Sequence, residues 1–206
     1  MRNNMPNLNE RRYHHGDLKN TIIETAMDML KESDGWAFTL REVSRRAGVS
    51  HTAPYKHFED KSALLIELSL IGFDQLREIL MFSVSNSHTS LRDKFFMMAK
   101  SYIEFAHGNP SLYRLMFSAF TDRTKTIYLN ERSLSTLGVV VEVLEQGQMA
   151  GLIRKQNVSG QATACWAQMH GLALLSIDGL LMPEKVGPNP VDHALTALLE
   201  GLELSH

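Results

Sequence analysis

An all-α architecture is the fold class this sequence predicts, and three observations predict it. Apolar residues recur at alternating three- and four-residue intervals through most of the chain, the spacing that lines one face of a helix. No segment alternates polar and apolar side chains with the period of a half-buried strand. Capping residues, glycines and prolines fall between the periodic segments, where helices begin and end.

Residues 1–15 are polar and asparagine-rich, carry Arg11 and Arg12, and read as a flexible arm. A first helix is signalled from Asp17, with Ile22, Ile23, Ala26, Met27 and Leu30 on one face, and Gly35 ends it. Thr39 caps a second helix, with Glu42 three residues on completing a capping box. Leu40, Val43 and Ala47 face inward, Gly48 supplies the freedom for a sharp turn, and Val49 plugs the corner. Ser50 is expected to cap a third helix ending near Phe58, and Asp60 a fourth running from Lys61 to the polar stretch 83–90.

A fifth helix is expected over Thr89–His107, and Pro110 can open a short sixth through Phe117. A long seventh is expected from Lys125 to Ala150, an eighth from Ser159 or Gly160 to Met182, a loop over Pro183–Pro190, and a ninth over Val191–Leu204. There are no internal repeats. The expected organisation is an arm (1–15), a small helical domain (16–60) and a larger one (61–206).

Composition excludes several classes. At 206 residues with 44% hydrophobic content, the chain is long enough for a sizeable core and too apolar for disorder. Cys165 is the only cysteine, so no intramolecular disulfide forms, and its small apolar neighbours read as a buried inert thiol. No signal-peptide core or membrane span is legible, which points to the cytoplasm. No nucleophile elbow, phosphate loop, paired metal ligands or dinucleotide fingerprint is found, so no catalytic residue, metal or cofactor is expected. His51 and His57 share no helical face and lack partners for a metal. The formal net charge of −2 gives no general attraction to nucleic acid, although residues 1–65 are slightly basic and the remainder slightly acidic.

The functional signal lies in Phe38–Leu64. A helix-turn-helix needs a tight turn, apolar inward positions and exposed donors, because its first helix crosses the phosphate backbone while its second enters the major groove. Leu40, Val43, Ala47, Val49 and Phe58 meet the apolar demand. Arg41, Arg45, Arg46, His51, Thr52, Tyr55, Lys56 and His57 supply donors, and acids reappear only at Glu59 and Asp60. Tyr55 reads equally as a core aromatic, while Phe58 reads as core.

Phe38-Thr39, Ala47-Gly48-Val49-Ser50 and Tyr55-Lys56-His57-Phe58 followed by Lys61 resemble the amino-terminal domain of the tetracycline-repressor (TetR) family. Tyr13-His14-His15-Gly16-Asp17-Leu18 looks like one branch of it, and Trp166-Ala167-Gln168-Met169-His170-Gly171 resembles a Trp-His-Gly signature of one carboxy-terminal domain type. The resemblance implies an all-helical homodimer with a helix-turn-helix DNA-binding domain and a ligand-binding and dimerisation domain. It implies phosphate contacts from Thr39, Tyr55 and His57, a charge from Lys61 at a helix start, and base-edge contacts from His51, Thr52 and Lys56. Arg41 and Ser50 complete the candidate surface, and Arg11 and Arg12 would follow the backbone. Two positions depart from the family pattern. Thr52 stands where glycine is common, and Pro54 stands where leucine or alanine is common and can shift the start of the recognition helix.

The larger domain is rich in adaptable apolar residues. Phe96, Tyr102, Phe105, Tyr113, Phe117, Trp166, Met169 and His170 are the candidates for a pocket holding a small apolar ligand, although a stripe of this kind is more often just core. Small residues near 160–182 and 191–204 suit close helix approach in a C2 four-helix interface, which implies a palindromic operator on double-stranded DNA. A ligand-released repressor is therefore expected. An all-α carrier or enzyme for an apolar molecule, and an activator or constitutive binder with a filled larger domain, remain open alternatives.

Overall fold

The computed structural model describes residues 18–32, 35–85, 89–118 and 124–203. The elements are α1 (Leu18–Glu32), α2 (Leu40–Ala47), a 3-10 turn (Ala53–Lys56), α3 (Lys61–Val84), α4 (Leu91–Gly108), α5 (Pro110–Met116), α6 (Thr124–Tyr128), α7 (Glu131–Met149), α8 (Val158–Ile177), α9 (Pro183–Val186) and α10 (Pro190–Leu202). The extended contact among the described residues is an isolated antiparallel bridge between Ile153 and Glu203. The expected arm, with Arg11 and Arg12, lies outside the described residues.

Sequence chemistry sets most of the boundaries. Thr39 and Glu42 form the expected capping box, and Gly48 ends α2 at φ 68°, a left-handed conformation that only glycine adopts without cost. The Asp60 carboxylate accepts from the Ala63 N–H at 2.7 Å and starts α3. Ser90 and Asn157 cap α4 and α8 in the same way.

Four expectations are corrected. The third helix is a 3-10 turn, and Ser50 is not its side-chain cap. With Ser50 as N-cap, Pro54 would have to donate the first α-helical hydrogen bond to the Ser50 carbonyl, and proline has no N–H. The Ala53 N–H takes that carbonyl instead, at 2.9 Å, and the turn tightens. The long seventh helix is broken into α6 and α7, because Asn130 accepts from the Arg132 N–H (3.0 Å) and caps a new start, while the Ser133 hydroxyl bonds the Ile127 carbonyl (2.6 Å). The eighth helix stops at Ile177, since Gly179 turns left-handed at φ 66°. Pro183, at a first-turn position, opens the short α9 inside the expected loop.

Helix α3 organises the packing. It lies against α4, α5 and α7, while α8 covers α4 and α7, and α1 contacts α2, α3 and α5. Leu64, Leu68, Leu76 and Leu80 are fully or almost fully buried along it. At Gly72 the backbone of α3 approaches α5 so closely that a Cβ would sit 2.6 Å from the Met116 sulfur. Ion pairs Arg92–Glu203 (2.8 Å) and Lys100–Asp192 (2.7 Å) tie α4 to the carboxy-terminal segment.

Leu68 has no solvent exposure. Leu68→Ala should therefore cost about 2–5 kcal/mol of stability, read as a lower urea midpoint at unchanged slope.

Candidate functional site

Two sites emerge, at opposite ends of α3. The first is the outward surface of the helix-turn-helix. Ala53, Pro54 and Phe58 are buried, so the 3-10 turn is anchored from beneath. Ser50, His51, Thr52, Tyr55, Lys56 and His57 all face solvent, and Tyr55 is 60% exposed, which removes its core alternative. The Ser50 and Thr52 hydroxyls lie 3.2 Å apart. Arg41 and Arg45 are exposed on α2. Arg46 is held by both oxygens of Glu32 on α1, so it braces the domain.

Two candidates are already engaged. The Thr39 hydroxyl donates to Glu42 Oε2 (2.9 Å) and accepts from the Glu42 N–H (3.2 Å). Hydrogen bonds from the Thr39 backbone and side chain hold the Glu42 carboxyl below its usual pKa. Lys61 is partly buried, with its ammonium 5.4 Å from the centre of the Phe38 ring. Burial lowers its pKa, opposed by the charge of Glu42.

The second site is a cavity of about 270 Å³ in the larger domain. Phe73, Leu76 and Leu80 of α3 form one wall. Ser133, Leu134, Thr136, Leu137 and Val140 of α7 form another, and Tyr102, Phe117, Tyr128, Trp166 and Met169 close it. The Ser133 and Thr136 hydroxyls donate to backbone carbonyls of Ile127 and Phe73, which leaves the wall largely apolar. Beside the cavity, Arg132 at the start of α7 pairs with Asp74 and Glu67 of α3, the Nε bond to Asp74 being 2.8 Å.

Of the expected pocket residues, Tyr102, Phe117, Trp166 and Met169 line this cavity. Tyr113 and His170 form a polar layer behind it: the Tyr113 hydroxyl donates to the Tyr102 oxygen (2.9 Å) and lies 2.7 Å from His170 Nδ1. Phe117 joins the layers, its ring centre 4.9 Å from that of Tyr113 and 4.5 Å from that of His170. Phe96 and Phe105 lie outside the lining. Phe105 is core, and Phe96 packs against the core beneath the Arg92 guanidinium. The α3 and α7 wall was not foreseen. Its leucines and valines have the same periodicity as core, and only packing separates the two.

Burial disfavours the charged forms of the titratable groups in both layers. Burial pushes the Tyr102 phenol up to about 12 and also raises Tyr113, while burial lowers the pKa of His170. Burial likewise raises the Cys165 thiol to about 12, in keeping with an inert side chain. Among the described residues no cluster of His, Cys, Asp and Glu is arranged to hold a metal ion.

Comparison with known proteins shows the family. Residues 95–202 match the sequence model of the tetracycline repressor-like carboxy-terminal domain, and residues 22–68 match that of the bacterial regulatory proteins of the tetR family. The chain belongs to the TetR family. It is similar to a solved protein of unknown function from Rhodococcus sp. RHA1, at 31% identity over 95% of this chain and 100% of that one, with a TM-score of 0.76. A Vibrio parahaemolyticus protein described as a TetR family transcriptional regulator shares the fold at 18% identity, covering 92% of this chain and 100% of that one, with a TM-score of 0.71. The tetracycline repressor protein class C of Escherichia coli is 29% identical over 104 residues, half of this chain. That match spans 41% of the repressor's own length. Residues 22–68 include the exposed donor surface described above, and residues 95–202 supply all of the cavity lining except the α3 wall.

The raised Tyr102 pKa fixes an alkaline dependence. A phenol with a folded pKa of about 12 against an ordinary 10.0 keeps a proton that the unfolded chain releases. Its contribution to stability is complete below pH 10.0 and is lost as pH rises through about 12. Thermal melts between those limits should show falling stability in the wild type and a shallower fall in Tyr102→Phe.

Proposed function

We propose that this chain is a sequence-specific DNA-binding transcriptional repressor, released from a palindromic operator when a small apolar molecule enters the cavity. The observation that carries this reading is α3. It begins at the Asp60 cap directly after the recognition turn and lines the cavity with Phe73, Leu76 and Leu80. At about 1.5 Å per residue, its 24 residues join the two sites by a rod about 36 Å long. A molecule that fits the cavity better in the non-operator form shifts the population toward that form, by as much as its affinities for the two forms differ.

In this reading residues 16–60 form the DNA-binding domain and residues 61–206 the ligand-binding and dimerisation domain. Tyr55, His57, Thr39 and Lys61 hold phosphates, with Arg41 and Ser50 beside them, and His51, Thr52 and Lys56 meet base edges. Thr39 and Lys61 act from their existing contacts with Glu42 and Phe38, so they serve as pre-positioned groups. Dimerisation uses α8 and α10. Gly160, Ala164, Ala167, Gly171 and Leu175 make an exposed or half-exposed stripe on α8, with Ala197 and Gly201 exposed on α10. Open space beside Gly171 and Gly201 suits close helix approach. A two-fold dimer presents its recognition elements to half-sites about one helical turn apart, roughly 34–36 Å. The cytoplasm fits this role, and no helix among the described residues is long and apolar enough to cross a membrane.

Selection from a randomised duplex library tests the reading: recovery of a palindrome is expected, and recovery of no motif with weak binding at moderate salt would overturn it. Against the recovered operator, Lys56→Ala should cost about 1–3 kcal/mol and relax one position of the motif. Tyr55→Phe should weaken all sequences alike, by about 1 kcal/mol. An unchanged motif for Lys56→Ala would remove that residue from base reading. Gly171→Arg should convert the dimer to a monomer by light scattering and abolish operator binding.

A further inference from the structure

The hydroxyl chain behind the cavity has a direction. Each phenol owns one proton, and that of Tyr113 is donated to the Tyr102 oxygen at 2.9 Å. The contact of 2.7 Å between Tyr113 and His170 Nδ1 is then a hydrogen bond only if Nδ1 carries the hydrogen, which sets the imidazole tautomer. Tyr102 accepts from Tyr113. Its own proton is taken by no acceptor among the described residues, although Tyr102 is 3% exposed to solvent and lines the cavity. A buried donor left unused is costly, so the cavity is the place where its partner belongs.

Charge narrows the partner. No Lys, Arg, Asp or Glu lines the cavity. An anion there would have no counter-charge, and burying an unpaired charge is prohibitive. A cation would find aromatic faces but no carboxylate, and would meet the positive end of the Tyr102 O–H dipole. Size narrows it further. An apolar cavity of about 150 Å³ accommodates benzene, so about 270 Å³ suits roughly ten non-hydrogen atoms.

We propose that the cavity takes an uncharged, largely apolar molecule of that size bearing one hydrogen-bond acceptor, such as a ketone, aldehyde or ester oxygen, to which Tyr102 donates. Tyr113 and His170 are positioning residues: they fill the Tyr102 acceptor side and aim its proton at the cavity. This inference rests on the reading of the cavity as the effector site.

The test uses full-length protein and four probes: acetophenone, α-methylstyrene (the same frame with a methylene for the oxygen), benzoate and benzyltrimethylammonium. Calorimetric titration should rank acetophenone above both ions. Tyr102→Phe, checked for wild-type helicity, should weaken acetophenone about tenfold and leave α-methylstyrene unchanged. Equal effects on the two neutral probes, tighter binding of either ion, or no binding of acetophenone would overturn the proposal. Should Tyr102→Phe fail to fold, the carbonyl stretch of acetophenone bound to the wild type decides. A shift to lower frequency relative to hexane supports the donor, and an unshifted band refutes it. Operator binding by the unliganded protein is measured separately. Loss of acceptor preference with intact operator binding sinks only the ligand class. Acetophenone binding that leaves the operator complex unchanged sinks the effector reading of the cavity instead.

Discussion

The burial of α3 is the constraint on which the rest of the structure depends. Its amino-terminal leucines, Leu64 and Leu68, are buried near the DNA-binding domain, and Leu76 and Leu80 are buried beside the cavity. A helix buried at both ends transmits displacement as a rod, because close-packed interiors do not absorb it by compression. Contact with α5 at Gly72, where no Cβ fits without moving Met116, further limits how α3 can slide. The Arg132 bridge to Asp74 and Glu67 adds an electrostatic tie between α3 and α7, the two helices that frame the cavity. In the proposed function, ligand chemistry and DNA geometry are coupled through this one element.

The outward surface of the helix-turn-helix shows how a single residue type reshapes a motif without abolishing it. Pro54 denies the Ser50 carbonyl its α-helical partner, yet the turn that results keeps Phe58 buried and its exposed donors outward. The anchor beneath the turn is apolar and residues 50–58 carry no acid, so packing and the outward display of donors use different side chains. Arg46 illustrates the division from the other side. Its bidentate pairing with Glu32 fastens α2 to α1, whereas Arg41 and Arg45 remain in solvent.

The cavity combines an apolar wall with one ordered polar edge. Phe117 contacts Phe73, Tyr113, Trp166 and His170 and so connects the wall to the hydrogen-bonded layer. Burial disfavours the charged forms of Tyr102, Tyr113 and His170, so that layer can hold a fixed hydrogen-bond direction without introducing a charge into the core.

Local chemistry determined what the sequence by itself could reveal. Capping pairs such as Thr39 with Glu42, the Gly48 turn, the Asp60 start of α3 and the helical periodicity act over a few residues, so helix order, the helix-turn-helix and the family were legible. Some local signals were there and were outweighed by periodicity. Asn130 before Glu131 is a helix start, Gly179 a helix stop, and Pro54 a missing donor. Tertiary structure alone decided the cavity wall. Leu76, Leu80, Leu137 and Val140 have the sequence signature of core residues, and they face a void because helices distant in sequence do not fill the space between them. It alone also joined Tyr102, Tyr113 and His170, which lie on three helices and meet through side-chain hydrogen bonds that no spacing along the chain encodes.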